Sequence, residues 1–351
     1  MSAQIIDGRA IAAQVYSELT TRVAVLKAKG VIPRVAIIHV GTEEMTKRYV
    51  TLKENAAIRL GMECVTYHLV EDVSQQRVIE LVQKLNADES VHGILVQMPL
   101  PDSMDTKTVL DAIDPEKDID GLHFCNAGKL LNGEPAVIAC TPRAVIRILD
   151  ETGIDIMSKH TVVVGKSVLV GRPIAICLLN RNATVSVCHT KTQNLGDITK
   201  NADILIVAAG SAGLIKADMV KDGAVVIDIG QTNIDGKLYG DVDFENVSKK
   251  ASYITPVPGG VGPMTIAMLI NNVIKATKQQ SKTSNELTTK VIVNKLFTSG
   301  IIVMQVIGHL RGRSITDTIF IIDEAQNIEP SVIKSIVTRA GKGSKFVFIG
   351  D

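Results

Sequence analysis

Residues 161–176 read TVVVGKSVLVGRPIAI. Three valines run into Gly165, and β-branched residues favour strands. A short loop follows to Gly171, and Pro173 opens an apolar segment, IAICLLN, suited to a helix. Proline fits a first helical turn because its φ is already helical and its missing N–H would be unpaired there. The stretch predicts a strand, a tight turn and a helix. Such a turn aims free backbone N–H groups at one point, where a phosphate can sit.

The usual dinucleotide pattern is G-x-G-x-x-G. Here the glycines are Gly165 and Gly171, with Ser167 where a second glycine would stand. The spacing also fits an ordinary strand-to-helix turn. The next strand, residues 183–189, ends about 20 residues on, where NAD-selective sites carry Asp or Glu for the ribose hydroxyls. This chain has Thr190, Lys191 and Thr192 there, and Lys166 in the turn. Lysines and hydroxyls suit a 2′-phosphate, so the reading favours NADP. The plainer alternative is two solvated loop lysines.

Upstream, strands predicted at 34–40, 62–69 and 93–98 alternate with helices at 8–29, 43–60 and 74–87. Downstream, strands are predicted at 161–165, 183–189, 203–208 and 224–229. Strands alternating with helices indicate parallel sheets, and the near-continuous apolar runs suit strands buried on both faces. The fold class is α/β in two domains. Residues 253–263, YITPVPGGVGP, carry three prolines and three glycines and predict irregular backbone. A helix is expected at 264–278, then a polar linker, QQSKTSN, at 279–285.

The 351 residues carry a net charge of +1, which points away from nucleic acid and from anionic membrane surfaces. Aromatic content of 3% with no Trp argues against a base-stacking surface. No apolar run is long enough to span a bilayer, and MSAQIIDGRA lacks the layout of a signal peptide. Cys64, Cys125, Cys140, Cys177 and Cys188 show no C-x-x-C pair and no zinc spacing. They read mostly as small buried apolar residues in a reducing cytosol.

In the helix predicted over 43–60, Thr46, Tyr49 and Lys53 stand three and four apart, on one face. A lysine beside a tyrosine in a cleft suits proton transfer. A solvated surface lysine is the plainer reading. Gln97 interrupts an apolar strand just before Pro99. A buried amide there either satisfies nearby backbone or faces a ligand. Asp118 and Asp120 follow Pro115 in EKDIDGLH and also read as turn-forming aspartates.

From about residue 3 to 279 the chain resembles the bifunctional methylenetetrahydrofolate dehydrogenase/cyclohydrolases of the FolD type. The likeness rests on YVTLK at 49–53, GILVQMPLP at 93–101, KDIDGLH at 117–123, CTP at 140–142, the 165–173 turn, CHTKT at 188–192, GDVDF at 240–244 and TPVPGGVGPMT at 255–265. The resemblance implies a folate-binding catalytic domain from residues 1–140 with 264–279, and an NADP-binding Rossmann-like domain over 141–263. It implies Lys53 as the catalytic lysine of hydrolysis, Gln97 as its assistant, Asp120 as the residue that grips the pterin, and Tyr49 stacked on the folate. Thr46, Pro258, Gly259 and Gly260 are expected beside the substrate. Gly165, Lys166, Ser167, Gly171, Thr190 and Gln231 are expected beside the cofactor. No metal site is expected. A cytosolic homodimer follows from the same likeness.

The chain departs from the family at several points. Thr46 and Thr190 stand where serine is usual, Lys166 where arginine is common, and Ala144 where glycine is common. The usual D-x-G-I-N is here Asp228-Ile229-Gly230-Gln231-Thr232, which sets a polar Gln231 near the expected nicotinamide position. A catalytically impaired nucleotide-binding regulator or scaffold is the alternative function.

Residues 286–351 differ in character. From GHLRGR at 308–313 onward, through the apolar strand at 318–323 and its Asp323-Glu324, they resemble part of a PhoH-like P-loop ATPase. The G-x-x-x-x-G-K-[ST] loop occurs nowhere in the chain. The expectation is a segment without ATP hydrolysis, from a fusion or a truncated reading frame.

Overall fold

The computed structural model describes residues 2–298, 317–322, 327–338 and 341–349. The chain divides into two compact units, Met1–Thr283 and Ser284–Asp351.

In the first unit, β1 (Gln4–Ile5) leads to α1 (Gly8–Ala28), β2 (Arg34–Val40), α2 (Glu44–Arg59), β3 (Glu63–Leu69), α3 (Gln75–Ala87) and β4 (Gly93–Val96). Two short helices, α4 (Thr106–Asp111) and α5 (Phe124–Leu131), precede α6 (Cys140–Glu151). The second series runs β5 (His160–Val164), α7 (Gly171–Leu179), β6 (Thr184–Cys188), α8 (Leu195–Thr199), β7 (Ile204–Val207) and β8 (Val225–Asp228). It closes with β9 (Thr232–Ile234), β10 (Lys237–Tyr239), α9 (Phe244–Val247), β11 (Tyr253–Ile254) and the long helix α10 (Val261–Thr298).

Two parallel sheets form in this unit. One has the order β3-β2-β4, the other β1-β11-β8-β7-β5-β6. β5 lies between β6 and β7, so the chain reverses its direction of build there. In open α/β sheets, that switch point at the strand C-termini is where ligands gather. The hairpin β9–β10 turns at Asp235 and Gly236, both at positive φ, as an Asp-Gly hairpin does.

Local sequence explains most elements. Asp7 caps α1 by accepting from the N–H groups of Arg9 and Ala10 at 2.9 and 3.2 Å. Ala12, Val15, Leu19, Val23 and Leu26 recur at helical spacing and are all buried. Full burial of one such leucine is worth roughly 2 kcal/mol, and Leu19→Asp would place an unpaired charge in that core. Residues from α1, α6, α7 and α10 share one apolar cluster with inward positions of both sheets.

The structure corrects several expectations. The irregular stretch 253–263 begins with a strand, β11, which pairs with β8 and β1; the prolines come only after it. α10 starts at Val261, not Met264, because Pro263 falls within the first turn, where proline is tolerated. α7 starts at Gly171, two residues before Pro173. β4 stops at Val96, leaving Gln97 just past the strand. The stretch expected as a linker, 279–285, is helical and continues α10. It contains no Gly or Pro, and its Gln, Ser, Lys, Thr and Asn each cost at most about 0.7 kcal/mol against alanine in a helix. β1, from the segment expected in the first domain, joins the second sheet.

In the second unit, β12 (Ile319–Ile322) pairs in parallel with β13 (Lys345–Phe348), and α11 (Pro330–Val337) lies between them in sequence. This agrees with the strands expected there. Asp323-Glu324 and GHLRGR at 308–313 lie outside the described residues.

Candidate active site

α2 leaves the C-terminal end of β2 and presents Tyr49 and Lys53 one turn apart. The Lys53 ammonium donates to Oε1 of Gln97 at 2.8 Å. Gln97 is 8% exposed; its own N–H donates to the Ile38 carbonyl at 2.8 Å and its Nε2 to the Met98 carbonyl at 2.6 Å. An ammonium only donates, so the amide must turn its oxygen toward Lys53. The amide therefore satisfies nearby backbone and at the same time turns its oxygen to Lys53. The partner is a neutral amide, so Lys53 is oriented without a counter-charge. Among the described residues it forms no ion pair.

Tyr49, 41% exposed, donates from its hydroxyl to Oε1 of Gln231 at 3.3 Å. This contact joins α2 to the turn after β8. Gln231 also stands beside the first turn of α10: a Cβ at Gly262 would lie 3.0 Å from its Nε2. Thr46 differs. It is buried, and its hydroxyl donates to Glu43 Oε2 at 2.8 Å at the start of α2.

The two aspartates of KDIDGLH divide. Asp118 is buried and accepts from the N–H groups of Gly121 and His123 and from Asn126 Nδ2, each at 2.9 Å. It is the turn-forming aspartate, and burial pushes its carboxyl up. Asp120 is only half-buried and faces the Cys140 thiol. Burial pushes that thiol far up; the Asp120 charge adds to the rise and Lys53 opposes it. Asp120 and Lys53 thus both lie close enough to act on the Cys140 thiol.

The loop 255–260 is tight. Gly259 has φ +113, and a Cβ at Gly260 would stand 2.6 Å from the Pro256 carbonyl oxygen. Gly8, at the start of α1, approaches so closely that its Cβ would collide with the Gly260 carbonyl. Pro258, Gly259 and Gly260 therefore form a fixed ledge between β11 and α10.

At the second sheet's switch point, Gly165 has φ +133, and a Cβ there would collide with the Ala208 carbonyl oxygen. A Cβ on Gly171 would collide with the Gly165 carbonyl. Both glycines are required by close backbone approach. The Ser167 hydroxyl accepts from the N–H groups of Val170 and Gly171 at 3.2 and 3.3 Å. This narrows the expected set of free N–H groups, since two are occupied by the turn itself. Lys166, Thr190 and Lys191 are exposed. The cradle and its cationic rim, with no carboxylate at 190–192, fit a dinucleotide bearing a 2′-phosphate.

Two buried aspartates, not expected from the sequence, build the neighbouring loops. Asp241 accepts from the N–H groups of Ala209, Gly210 and Ser211 at 2.6, 2.8 and 2.7 Å. Asp228 accepts from those of Gly230, Asp241 and Val242 at 2.9, 3.0 and 2.9 Å. The first aspartate of GDVDF, Asp241, has no periodic signature; its partners lie about thirty residues away in the chain.

Comparison with known proteins bears on this geometry. The family model "Tetrahydrofolate dehydrogenase/cyclohydrolase, catalytic domain" matches residues 6–120, and "Tetrahydrofolate dehydrogenase/cyclohydrolase, NAD(P)-binding domain" matches residues 139–281. A model for PhoH-like protein matches residues 264–351. The bifunctional protein FolD of Campylobacter concisus is 50% identical over 276 residues, covering 78% of this chain and 98% of the relative. The bifunctional FolD methylenetetrahydrofolate dehydrogenase/cyclohydrolase of Campylobacter jejuni has a solved structure with TM-score 0.78 and 46% identity, covering 80% of this chain and all (100%) of that one. The Trypanosoma brucei enzyme, solved with NADP cofactor and inhibitor, gives TM-score 0.77 at 39% identity, covering 80% of this chain and 99% of that one.

Proposed function

The chain belongs to the tetrahydrofolate dehydrogenase/cyclohydrolase family, and from that premise we infer how its residues divide the work. It is a bifunctional enzyme of one-carbon metabolism. It oxidises 5,10-methylenetetrahydrofolate to the 5,10-methenyl form with NADP and hydrolyses that product to 10-formyltetrahydrofolate.

NADP supplies the hydride acceptor. The protein's task in that step is alignment, which needs no side-chain acid or base. We assign Gly165, Gly171, Lys166, Ser167 and Thr190 to holding the cofactor, with residues 141–263 as its domain. Residues 1–140 with 264–279 hold the folate. Tyr49 offers its ring as a platform, Asp120 grips the pterin, and Pro258, Gly259 and Gly260 bound the pocket. Thr46 is assigned to the start of α2 through Glu43.

Hydrolysis adds water to a cationic carbon, so a proton must be taken from that water and later returned. Lys53 Nζ is assigned this proton. The observation that carries the assignment is the 2.8 Å contact with Gln97, which aims the nitrogen. The test is an assay of purified protein with methylenetetrahydrofolate and each nicotinamide cofactor. Absence of reduced nicotinamide with both would overturn the reading. Preference for NAD would overturn only the assignment of Lys166 and Thr190.

We further assign the enzyme to the cytosol as a homodimer, on the family likeness, which solution mass and cell fractionation would test. Residues 286–351 are read as a partial PhoH-like segment without ATPase activity, since the phosphate-binding loop is missing from the sequence. A chain ending at Gln280 should keep both folate activities. It retains the Gln280 amide, which donates to the carbonyls of His92 and Glu116 at 2.8 and 3.1 Å.

A further inference from the structure

Asn272, on α10, is 2% exposed. Its Nδ2 donates to the carbonyls of Ile119 at 2.9 Å and Ile138 at 3.0 Å, and approaches Cys140 Sγ at 3.9 Å. These two carbonyls belong to different segments. Ile119 precedes Asp120; Ile138 lies in the stretch that leads into α6. The segments touch directly, because a Cβ on Gly121 would lie 2.6 Å from the Ala139 nitrogen and 2.7 Å from the Ile138 carbonyl carbon. Cys140 Sγ also lies 3.9 Å from the Ile119 carbonyl oxygen. One turn further along α10, Lys275 Nζ donates to the Ala136 carbonyl at 2.5 Å.

The Ile119 carbonyl and the Asp120 N–H share one rigid peptide plane. A donor that fixes the carbonyl therefore fixes the N–Cα axis of Asp120, the base from which its side chain is aimed. We propose that Asn272 is the positioning residue of Asp120: its buried amide staples the Asp120 loop to the segment entering α6 and so sets the carboxylate's aim at the substrate. This rests on the reading of Asp120 as a substrate-gripping group. α10 does more than cover the first domain: it carries the amide that orients a residue of the pocket.

The test compares full-length wild type with Asn272→Leu, Asn272→Ser, Asp120→Ala and the double variant Asp120→Ala/Asn272→Leu. Leucine is close in volume and removes both donors; serine keeps one. Asn272→Leu should raise KM for methylenetetrahydrofolate roughly 10- to 100-fold, the cost of displacing a positioned group, and leave KM for NADP within about 2-fold. Asn272→Ser should fall between, which also serves if the leucine variant does not fold. The double variant should be no worse than Asp120→Ala alone, because both changes remove the same carboxylate aim. A lowered melting temperature with wild-type folate KM in both Asn272 variants would mean a purely structural role and overturn the proposal. So would full additivity in the double variant. A wild-type folate KM in Asp120→Ala would instead remove the reading of Asp120 itself, and the proposal with it.

Discussion

The ammonium of Lys53, on α2, meets the amide oxygen of Gln97, just past β4, at 2.8 Å. Two elements brought side by side by the first sheet thus fix one nitrogen. Hydride transfer asks only for alignment, whereas hydrolysis asks for a proton carrier. Lys53→Met keeps the stem and removes the ammonium. Hydrolysis should fall by about 100-fold or more, the scale of general acid–base catalysis, while dehydrogenation falls less. Methenyltetrahydrofolate should then accumulate, and its absorbance follows the split. Equal loss of both steps would make Lys53 a substrate holder rather than a proton carrier.

The Tyr49 hydroxyl and Gln231 amide meet at 3.3 Å from opposite sequence halves of the first unit. A neutral hydrogen bond of this kind contributes about 0.5–1.5 kcal/mol. Tyr49→Phe and Gln231→Ala should each raise the folate KM by at most roughly 10-fold, with the double variant no worse than either single one. Independent, additive effects measured in that cycle would show that the pair does not act together.

Gly165→Ala adds a Cβ against the Ala208 backbone at a φ of +133 that alanine rarely adopts. Strain of this kind costs about 1–3 kcal/mol before the collision is counted. The variant should melt lower and lose NADP affinity, read by calorimetry. Wild-type affinity and melting would mean that β5 and β7 can separate at no cost.

His39 is 1% exposed, pairs Nδ1 to Nδ1 with His68 at 3.4 Å, and leaves Nε2 without a partner among the described residues. Burial holds its pKa below the ordinary value; His68 and Lys47 add to the fall and Glu43 opposes it. A histidine depressed in the folded state contributes stability that is present above its unfolded value, about 6.5, and is lost as pH falls through the folded value. Denaturant midpoints should therefore drop from about pH 6.5 downward, and His39→Gln should flatten that limb. Parallel slopes in the two proteins would remove His39 from the account.

Local patterns in the sequence specify much of this molecule. The apolar spacing of residues 12–26 declares a helix and its buried face, because a periodicity of 3.6 is visible without any partner. The valines before Gly165 declare a strand, and the spacing of Tyr49 and Lys53 places them on one face. Asp235-Gly236 is a local hairpin signal as well. The family motifs added the substrate, which no spacing contains.

Other features came only with the tertiary structure. Whether Asp118 or Asp120 shapes the turn depends on which carboxylate meets Gly121 and His123. That Gln231 touches Tyr49, and Asn272 the carbonyl of Ile119, joins residues 182 and 153 positions apart. That β1 enters the second sheet depends on β11 being there to receive it. Helix and strand periods record a residue's near neighbours. Which distant backbone group a buried amide or carboxylate must satisfy is decided only when packing brings that group within hydrogen-bonding reach.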